Sequence, residues 1–193
     1  MANRFWSAVK SLFSSLAPPP AGEAGRQVRE AVFRYYPFAE EAQEYLRRQV
    51  RIEVEDPTST RGGGGWYPAE NRVRLRTGQY EAAIHELAHA WWHTRRRGQE
   101  DEFIAAVQRL ADERDPTYSR AAGLAHGYVY GIPEQNWQGM MPGRMDWEMF
   151  AGLASGVMGD IRLLPPYVRR YYEGLFRLLP EDAPEPASLA PHR

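Results

Sequence analysis

The stretch QYEAAIHELAHAWWHTRR, residues 79–96, decides how this chain folds. Its apolar residues recur at intervals of three and four, which predicts an amphipathic helix with the stripe Tyr80, Ile84, Leu87 and Trp91. On such a helix His85 and His89 lie on the same face, one turn apart. The stretch therefore predicts a helix over 79–96 that presents two imidazoles side by side.

The segment His85-Glu86-Leu87-Ala88-His89 indicates metal chemistry. Two imidazoles one turn apart can share a metal ion, and the neighbouring Glu86 can take a proton from water as a general base. The residues between and around these polar groups are apolar, so solubility does not explain a polar edge made only of His and Glu. The alternative is that the two histidines merely pack or form local hydrogen bonds.

A catalytic zinc ion needs a third protein ligand and one open position. The chain has no cysteine, so this ligand must be another histidine or a carboxylate. In the extended histidine motif, Gly would stand at Trp92 and a third His at Arg95, so that motif is excluded. The sequence thus requires a ligand from another part of the chain.

We expect that ligand to be Glu148, at the start of a predicted helix whose small Ala151 and Gly152 allow close packing. Asp146 is the alternative, either as the ligand or as a hydrogen-bond partner of a ligating histidine. Two other histidines, His93 and His126, remain further candidates. His93 continues the same helix, where three ligands spread too far apart to meet at one ion.

The pattern of the whole chain predicts an α+β fold, with a small antiparallel or mixed sheet packed on the active-site helix and a mostly helical C-terminal part. A helix over 27–49, split at Pro37, precedes a strand over 50–54. A glycine loop over 62–65 is followed by strands that begin at Trp66 and span 72–76. Further helices are predicted over 100–114, 118–128, 146–158 and 166–179, with a loop over 129–144.

The ends of the chain lie outside the predicted domain, residues 27–179. Residues 1–17 predict an amphipathic helix, 18–26 a flexible linker, and 180–193 a disordered tail. Residues 3–16 would dock on the domain, contact a membrane surface or a protein partner, or fold back as a plug. Because Lys10 interrupts the apolar run, a signal peptide is not expected; without a membrane span either, a cytoplasmic location is favoured.

The composition excludes some classes of function. Apolar residues make up 43% and charged residues 25% of the chain, which is typical of a globular protein. A net charge of −1 argues against a general nucleic-acid binder. A nucleic-acid partner is therefore not expected, and the expectation of a peptide or protein substrate comes from the motif at 85–89, not from the composition.

The block from Trp66 to His93, a strand followed by the HExxH helix, resembles the zincin metallopeptidases. The segment 147–151, followed by 163–166 and 171–176, resembles the C-terminal part of the gluzincins. It is most similar to the group that includes the catalytic domain of anthrax lethal factor and related small bacterial peptidase domains. The resemblance covers about residues 50–179. It implies a zincin-like fold in which a Glu-x-Phe-Ala helix supplies the third zinc ligand and a Pro…Tyr…Phe helix packs behind it.

The expected function is that of a zinc-dependent metallopeptidase, with Zn²⁺ held by His85, His89 and Glu148 and with Glu86 as general base. Tyr130 and His126, lying before the Glu148 helix, are candidate donors to the reaction's oxyanion, and Tyr128 is also available. The alternatives are a catalytically inactive zincin-like interaction module tethered by its N-terminal helix, and a hydrolase of non-peptide amides such as cell-wall material.

The strand over 71–77 precedes the active helix, and zincins use such a strand at the edge of the cleft to pair with an extended substrate. Three arginines point outward from this strand: Arg72, Arg74 and Arg76. They would favour acidic substrates, or they form an ordinary solvated face.

Overall fold

A computed structural model of the chain describes residues 21–56, 63–76, 78–95, 98–113, 115–131 and 145–186. The fold is α+β, as predicted, with mostly helical content and a three-stranded mixed sheet. The predicted helix over 1–17, its contact residues 3–16 and the last residues of the predicted tail lie outside the described residues. Within the described ranges, no helix has both the length and the apolar character needed to cross a membrane.

Two helices open the described fold, α1 (Ala21–Tyr35) and α2 (Glu40–Gln49), and they are separated around Pro37 as predicted. Helix α1 begins earlier than expected, so residues 21–26 are helical and not a linker. The reason is close packing on the first strand, because a β-carbon on Gly25 would collide with the Ile52 carbonyl. This glycine permits a helix–strand contact and does not mark a flexible segment.

The sheet contains β1 (Arg51–Val54), β2 (Gly64–Tyr67) and β3 (Arg72–Leu75), in the order β1-β3-β2. Strand β3 pairs in parallel with β1 and antiparallel with β2. The alternation predicted for β1 is confirmed, since Ile52 and Val54 are buried. The predicted glycine loop is wrong at Gly64 and Gly65, which belong to β2.

The order of the strands also corrects the expected edge of the sheet. Residues 72–75 were expected to border the cleft, but both sides of β3 are already paired. Within the described part of the chain, β2 is the strand at that edge and packs beside the HExxH helix. The hydrophobic pattern shows which residues form strands, but it does not show which strand lies in the middle.

Four longer helices follow the sheet: α3 (Tyr80–Arg95), α4 (Glu100–Glu113), α5 (Ser119–His126) and α6 (Met145–Gly156). Each begins and ends within a few residues of its predicted position. Helix α3 is the centre of the domain and is buried on several faces between α6 and the sheet. A π-helical turn, Gly127–Gly131, extends α5.

The predicted helix over 166–179 is wrong. Only α7 (Pro166–Arg169) is helical, and the chain then turns, with Gly174 at a φ of 91° that an L-residue side chain disfavours. Phe176 instead bridges to Phe38 near the start of the domain. The described start of the predicted tail is also held in place, because Arg162 donates to backbone carbonyls within 180–183.

Candidate metal centre

Three of the predicted ligands lie together where α3 faces α6; His85, His89 and Glu148 are called the donor cluster below. The two histidine Nε2 atoms are 3.1 Å apart. The Glu148 carboxylate spans both rings, with Oε2 3.4 Å from His85 Nε2 and Oε1 3.4 Å from His89 Nε2. The fold therefore brings together two ligands from one helix and a third from a helix far along the chain.

The donor cluster fits a zinc ion in both chemistry and spacing. Tetrahedral zinc with bonds of about 2.0–2.1 Å places neighbouring ligand atoms about 3.3–3.4 Å apart. The two histidine Nε2 atoms, 3.1 Å apart, fall within a few tenths of an ångström of that edge length. The two 3.4 Å distances end on different oxygens of Glu148, and one ligand atom from each of the three residues lies within 4.8 Å of the others. Two imidazoles and one carboxylate form a donor set that catalytic zinc sites use, with a fourth position left for water or substrate.

The charges of the cluster favour a cation. Burial alone would raise the pKa of Glu148, but hydrogen bonds from both histidines and their positive charge hold this pKa well below the usual range. Burial would lower the pKa of His85, yet the hydrogen bond with Glu148 and the charge of Glu86 raise it. The carboxylate is thus ionised, and a metal ion that binds here competes with a proton on His85.

Glu86 lies beside the cluster and lines the same cleft, with a residue exposure of 6%. Its pKa is raised, first by burial and then by the charge of Glu148, against the opposing effect of the two histidines. Strand β2 passes close by, because a β-carbon on Gly64 would lie 3.1 Å from the Glu86 Cγ. A carboxyl group in this position, lining the cleft beside the donor cluster, can exchange a proton with a group bound there.

The cluster lies in a cleft of about 630 Å³, a volume typical of sites that bind small ligands or short peptide segments. Trp66 of β2 and Trp147 of α6 contribute aromatic walls. The backbone of residues 63–65, all glycines, forms another part of the lining. An extended chain can therefore approach the cluster along β2 without meeting side chains at those three positions.

The alternative ligands are not part of the cluster that the described residues form. Asp146 is 3% exposed, and its Oδ2 accepts a hydrogen bond from Trp92 Nε1 at 2.5 Å. At that oxygen its partner is Trp92 and not a ligating histidine. His93 packs edge-on against Trp147, with ring centroids 4.8 Å apart. His126 is exposed and packs against Tyr130.

The candidate oxyanion donors have different surroundings, and neither Tyr130 nor Tyr128 is among the described residues that line the cleft. Tyr130 is 53% exposed and donates to Asp112. Tyr128 instead packs against Gly152, where a β-carbon would collide with its hydroxyl. Its pKa is raised by burial and then by the charges of Glu148 and Glu81. Gly152, one helical turn after Glu148, leaves the space that this tyrosine occupies.

The outward arginines of β3 do not form a free basic surface. Arg72 pairs with Glu53 at 3.1 Å and with Glu70 at 3.0 Å, while Arg74 pairs with Glu55 at 2.8 Å. These carboxylates offset the positive charge on that face. A preference for acidic substrates therefore gains no support from these two arginines.

No family model matches the chain, and no curated protein or solved structure matches it either. The function is therefore inferred from the site itself.

Proposed function

We propose that this chain is a zinc-dependent metallopeptidase with a zincin-like fold of the gluzincin type. The observation that carries the proposal is the convergence of the donor cluster, in which one ligand atom from each of the three residues lies within 4.8 Å of the others, with Glu86 adjacent. When bound, zinc supplies a Lewis acid that polarises a peptide carbonyl and acidifies water. His85, His89 and Glu148 are the residues that would hold it.

Glu86 is the general base in this proposal. Its carboxylate takes the proton from the attacking water and afterwards gives that proton to the leaving amine. The raised pKa makes Glu86 a better proton acceptor than an exposed glutamate. Burial beside Gly64 keeps its side chain at the cleft wall, next to the position where the peptide carbonyl must lie.

The substrate is proposed to lie along β2. In the described sheet β2 has a partner on one side only, which leaves backbone groups on the other side for pairing with an extended peptide. Residues 63–66 line the cleft, so a peptide added there would pass in front of Glu86. This strand replaces β3 in the role expected from the sequence.

Tyr128 is the proposed donor to the oxyanion. It packs against Gly152, one helical turn after Glu148, and its pKa is raised by burial and then by the charge of Glu148. A tyrosine with a high pKa stays protonated, so its hydroxyl can donate a hydrogen bond to negative charge that develops on the substrate. Tyr128→Phe is expected to lower kcat about 10²-fold or more, while zinc content stays unchanged.

The experiment that tests the proposed function combines zinc content with casein hydrolysis. Glu86→Gln is expected to keep one zinc per chain and to lose about 10²–10⁴-fold in activity. Glu44→Gln, on an exposed residue of α2, is the matched control and is expected to keep both the zinc content and the activity. A zinc-loaded protein that cleaves neither casein nor a peptide library would contradict the peptidase and favour the inactive module or a non-peptide amidase.

A further inference from the structure

The two helices that carry the donor cluster are joined by a second polar contact. Trp92 Nε1 donates a hydrogen bond to Asp146 Oδ2 at 2.5 Å, between residues 54 apart in the chain. Trp92 follows His89 by less than one turn of α3, and Asp146 precedes Glu148 by two residues of α6. The contact therefore links the same two helices within about one turn of the ligands.

Both partners are buried, with Trp92 at 2% and Asp146 at 3% exposure. The Trp92 ring cannot turn freely, because it stacks on Phe150 at 4.4 Å and packs against Phe103 at 4.8 Å. Its N–H direction is thus fixed by packing. A buried carboxylate without a hydrogen-bond partner would destabilise the fold. Asp146 is therefore held where its oxygen can accept the hydrogen bond from Trp92.

One of the ligands, His89, lacks a restraint of this kind. Metal-ligating histidines usually donate their second ring nitrogen to a carboxylate or a carbonyl, which orients the ring. His89 Nδ1 is buried and has no hydrogen-bond partner within the described residues. The spacing between imidazoles and carboxylate depends therefore on how α3 and α6 are placed against each other.

We propose that Trp92 and Asp146 are positioning residues for the metal centre, and that their hydrogen bond sets the distance between the two histidines and Glu148. The inference rests on the proposed function, since it concerns the same donor cluster. It predicts a change in metal affinity, whereas the peptidase proposal predicts hydrolysis. The positioning role can therefore be contradicted without contradicting the peptidase activity, and the reverse.

Cobalt and zinc binding by the full chain test the proposal. Trp92→Phe keeps an aromatic ring and removes the N–H, and it is expected to weaken binding of both ions by about 10–100-fold. It is also expected to alter the visible absorption spectrum of the cobalt protein. Trp91→Phe is the matched control: Trp91 is buried on the same helix, and its indole nitrogen has no partner among the described residues.

Two further variants keep the test decisive if Trp92→Phe does not fold. Asp146→Asn retains an oxygen that accepts the Trp92 N–H, so it should bind both ions nearly as wild type does. Asp146→Ala removes the acceptor and should show the weakened binding and altered spectrum. Urea unfolding of each metal-free variant shows that it is folded before metal is added.

The outcomes separate the two proposals. Wild-type affinity and spectrum in both Trp92→Phe and Asp146→Ala would overturn the positioning role. Equal losses in Trp91→Phe and Trp92→Phe would also overturn it, because a general packing effect would then explain both. A wild-type protein that binds no cobalt or zinc overturns both proposals. Metal binding without hydrolysis overturns only the peptidase.

Discussion

The contact between α3 and α6 contains two groups of opposite character, within about one helical turn of each other. One is the donor cluster, whose polar atoms lie 3.1–3.4 Å apart. The other is an aromatic column, formed by Trp92, Phe150 and Tyr172, which stacks with ring centroids 4.4 and 4.3 Å apart. The Tyr172 hydroxyl also donates to the Phe150 carbonyl at 3.0 Å. The same two helices thus carry both the ionisable groups and the aromatic packing beside them.

This difference indicates how the site forms before any metal binds. Buried aromatic rings stabilise a fold through apolar burial and ring contacts, whereas clustered ionisable groups lose solvation when they are buried. We infer that the aromatic column holds α3 against α6 and that the donor cluster depends on it.

The largest expected effect comes from the aromatic column. Phe150→Ala removes the ring between Trp92 and Tyr172 and should lower the free energy of unfolding by about 3–5 kcal/mol, as measured in urea. Leu178→Ala, at a side chain that is 56% exposed, should change it by about 0.5 kcal/mol or less. A similar small loss in both variants would contradict a stabilising role for the column.

The next effect concerns the cleft. A β-carbon on Gly64 would lie 2.8 Å from the Arg74 carbonyl and 3.1 Å from the Glu86 Cγ, so Gly64→Ala must displace the strand or Glu86. Misplacement by about 1 Å can cost about 10²-fold in rate, so peptide hydrolysis should fall by up to that factor. Zinc affinity should change little, because the donor cluster lies on the helices. Full hydrolysis in this variant would argue against the assigned position of Glu86.

A collision between α6 and Tyr128 should give a smaller loss. Gly152→Ala brings a β-carbon into the Tyr128 ring and is expected to lower the free energy of unfolding by about 1–3 kcal/mol. Gly123→Ala is the matched control, because a β-carbon there meets nothing within 4 Å. This substitution should raise the free energy of unfolding by about 0.4–1 kcal/mol. Thermal unfolding compares the two, and effects of the same sign would count against the packing of Tyr128 on α6.

The smallest effect concerns the ion pair of Glu30 and Arg47, which belongs neither to the donor cluster nor to the aromatic column. The hydrogen bond from Arg47 lowers the pKa of half-exposed Glu30, so the pair stabilises the fold above the ordinary glutamate pKa. That contribution is lost as the pH falls through the lowered value. Glu30→Gln should therefore cost about 1 kcal/mol or less at pH 7, and the difference from wild type should shrink in acid. A difference that grows in acid would contradict this assignment.

Sequence patterns predicted the parts of the fold that depend on local periodicity. The helix around His85 and the helix around Glu148 were placed within a few residues, because each has a regular apolar pattern. The residues of the donor cluster were predicted from the same patterns. Because the chain has no cysteine, the third zinc ligand had to be a histidine or a carboxylate. The three donors are brought together in the structure as expected.

The features that were missed depend on contacts between distant segments. Gly25 suggested a linker, yet it allows α1 to pack on β1. The predicted helix over 166–179 ends at Arg169, and further on Gly174 turns the chain and Phe176 packs on Phe38. The partner of Asp146 is Trp92, and no local pattern pairs residues that are 54 positions apart.

The central claim is that His85, His89 and Glu148 hold one zinc ion. The most direct measurement is an anomalous difference map, collected at the zinc absorption edge on crystals of the full chain grown with zinc. The account predicts one peak within about 2.0–2.2 Å of both histidine Nε2 atoms and a Glu148 carboxylate oxygen. No peak at that place, or a peak held by Asp146, His93 or His126 in place of Glu148, would contradict it.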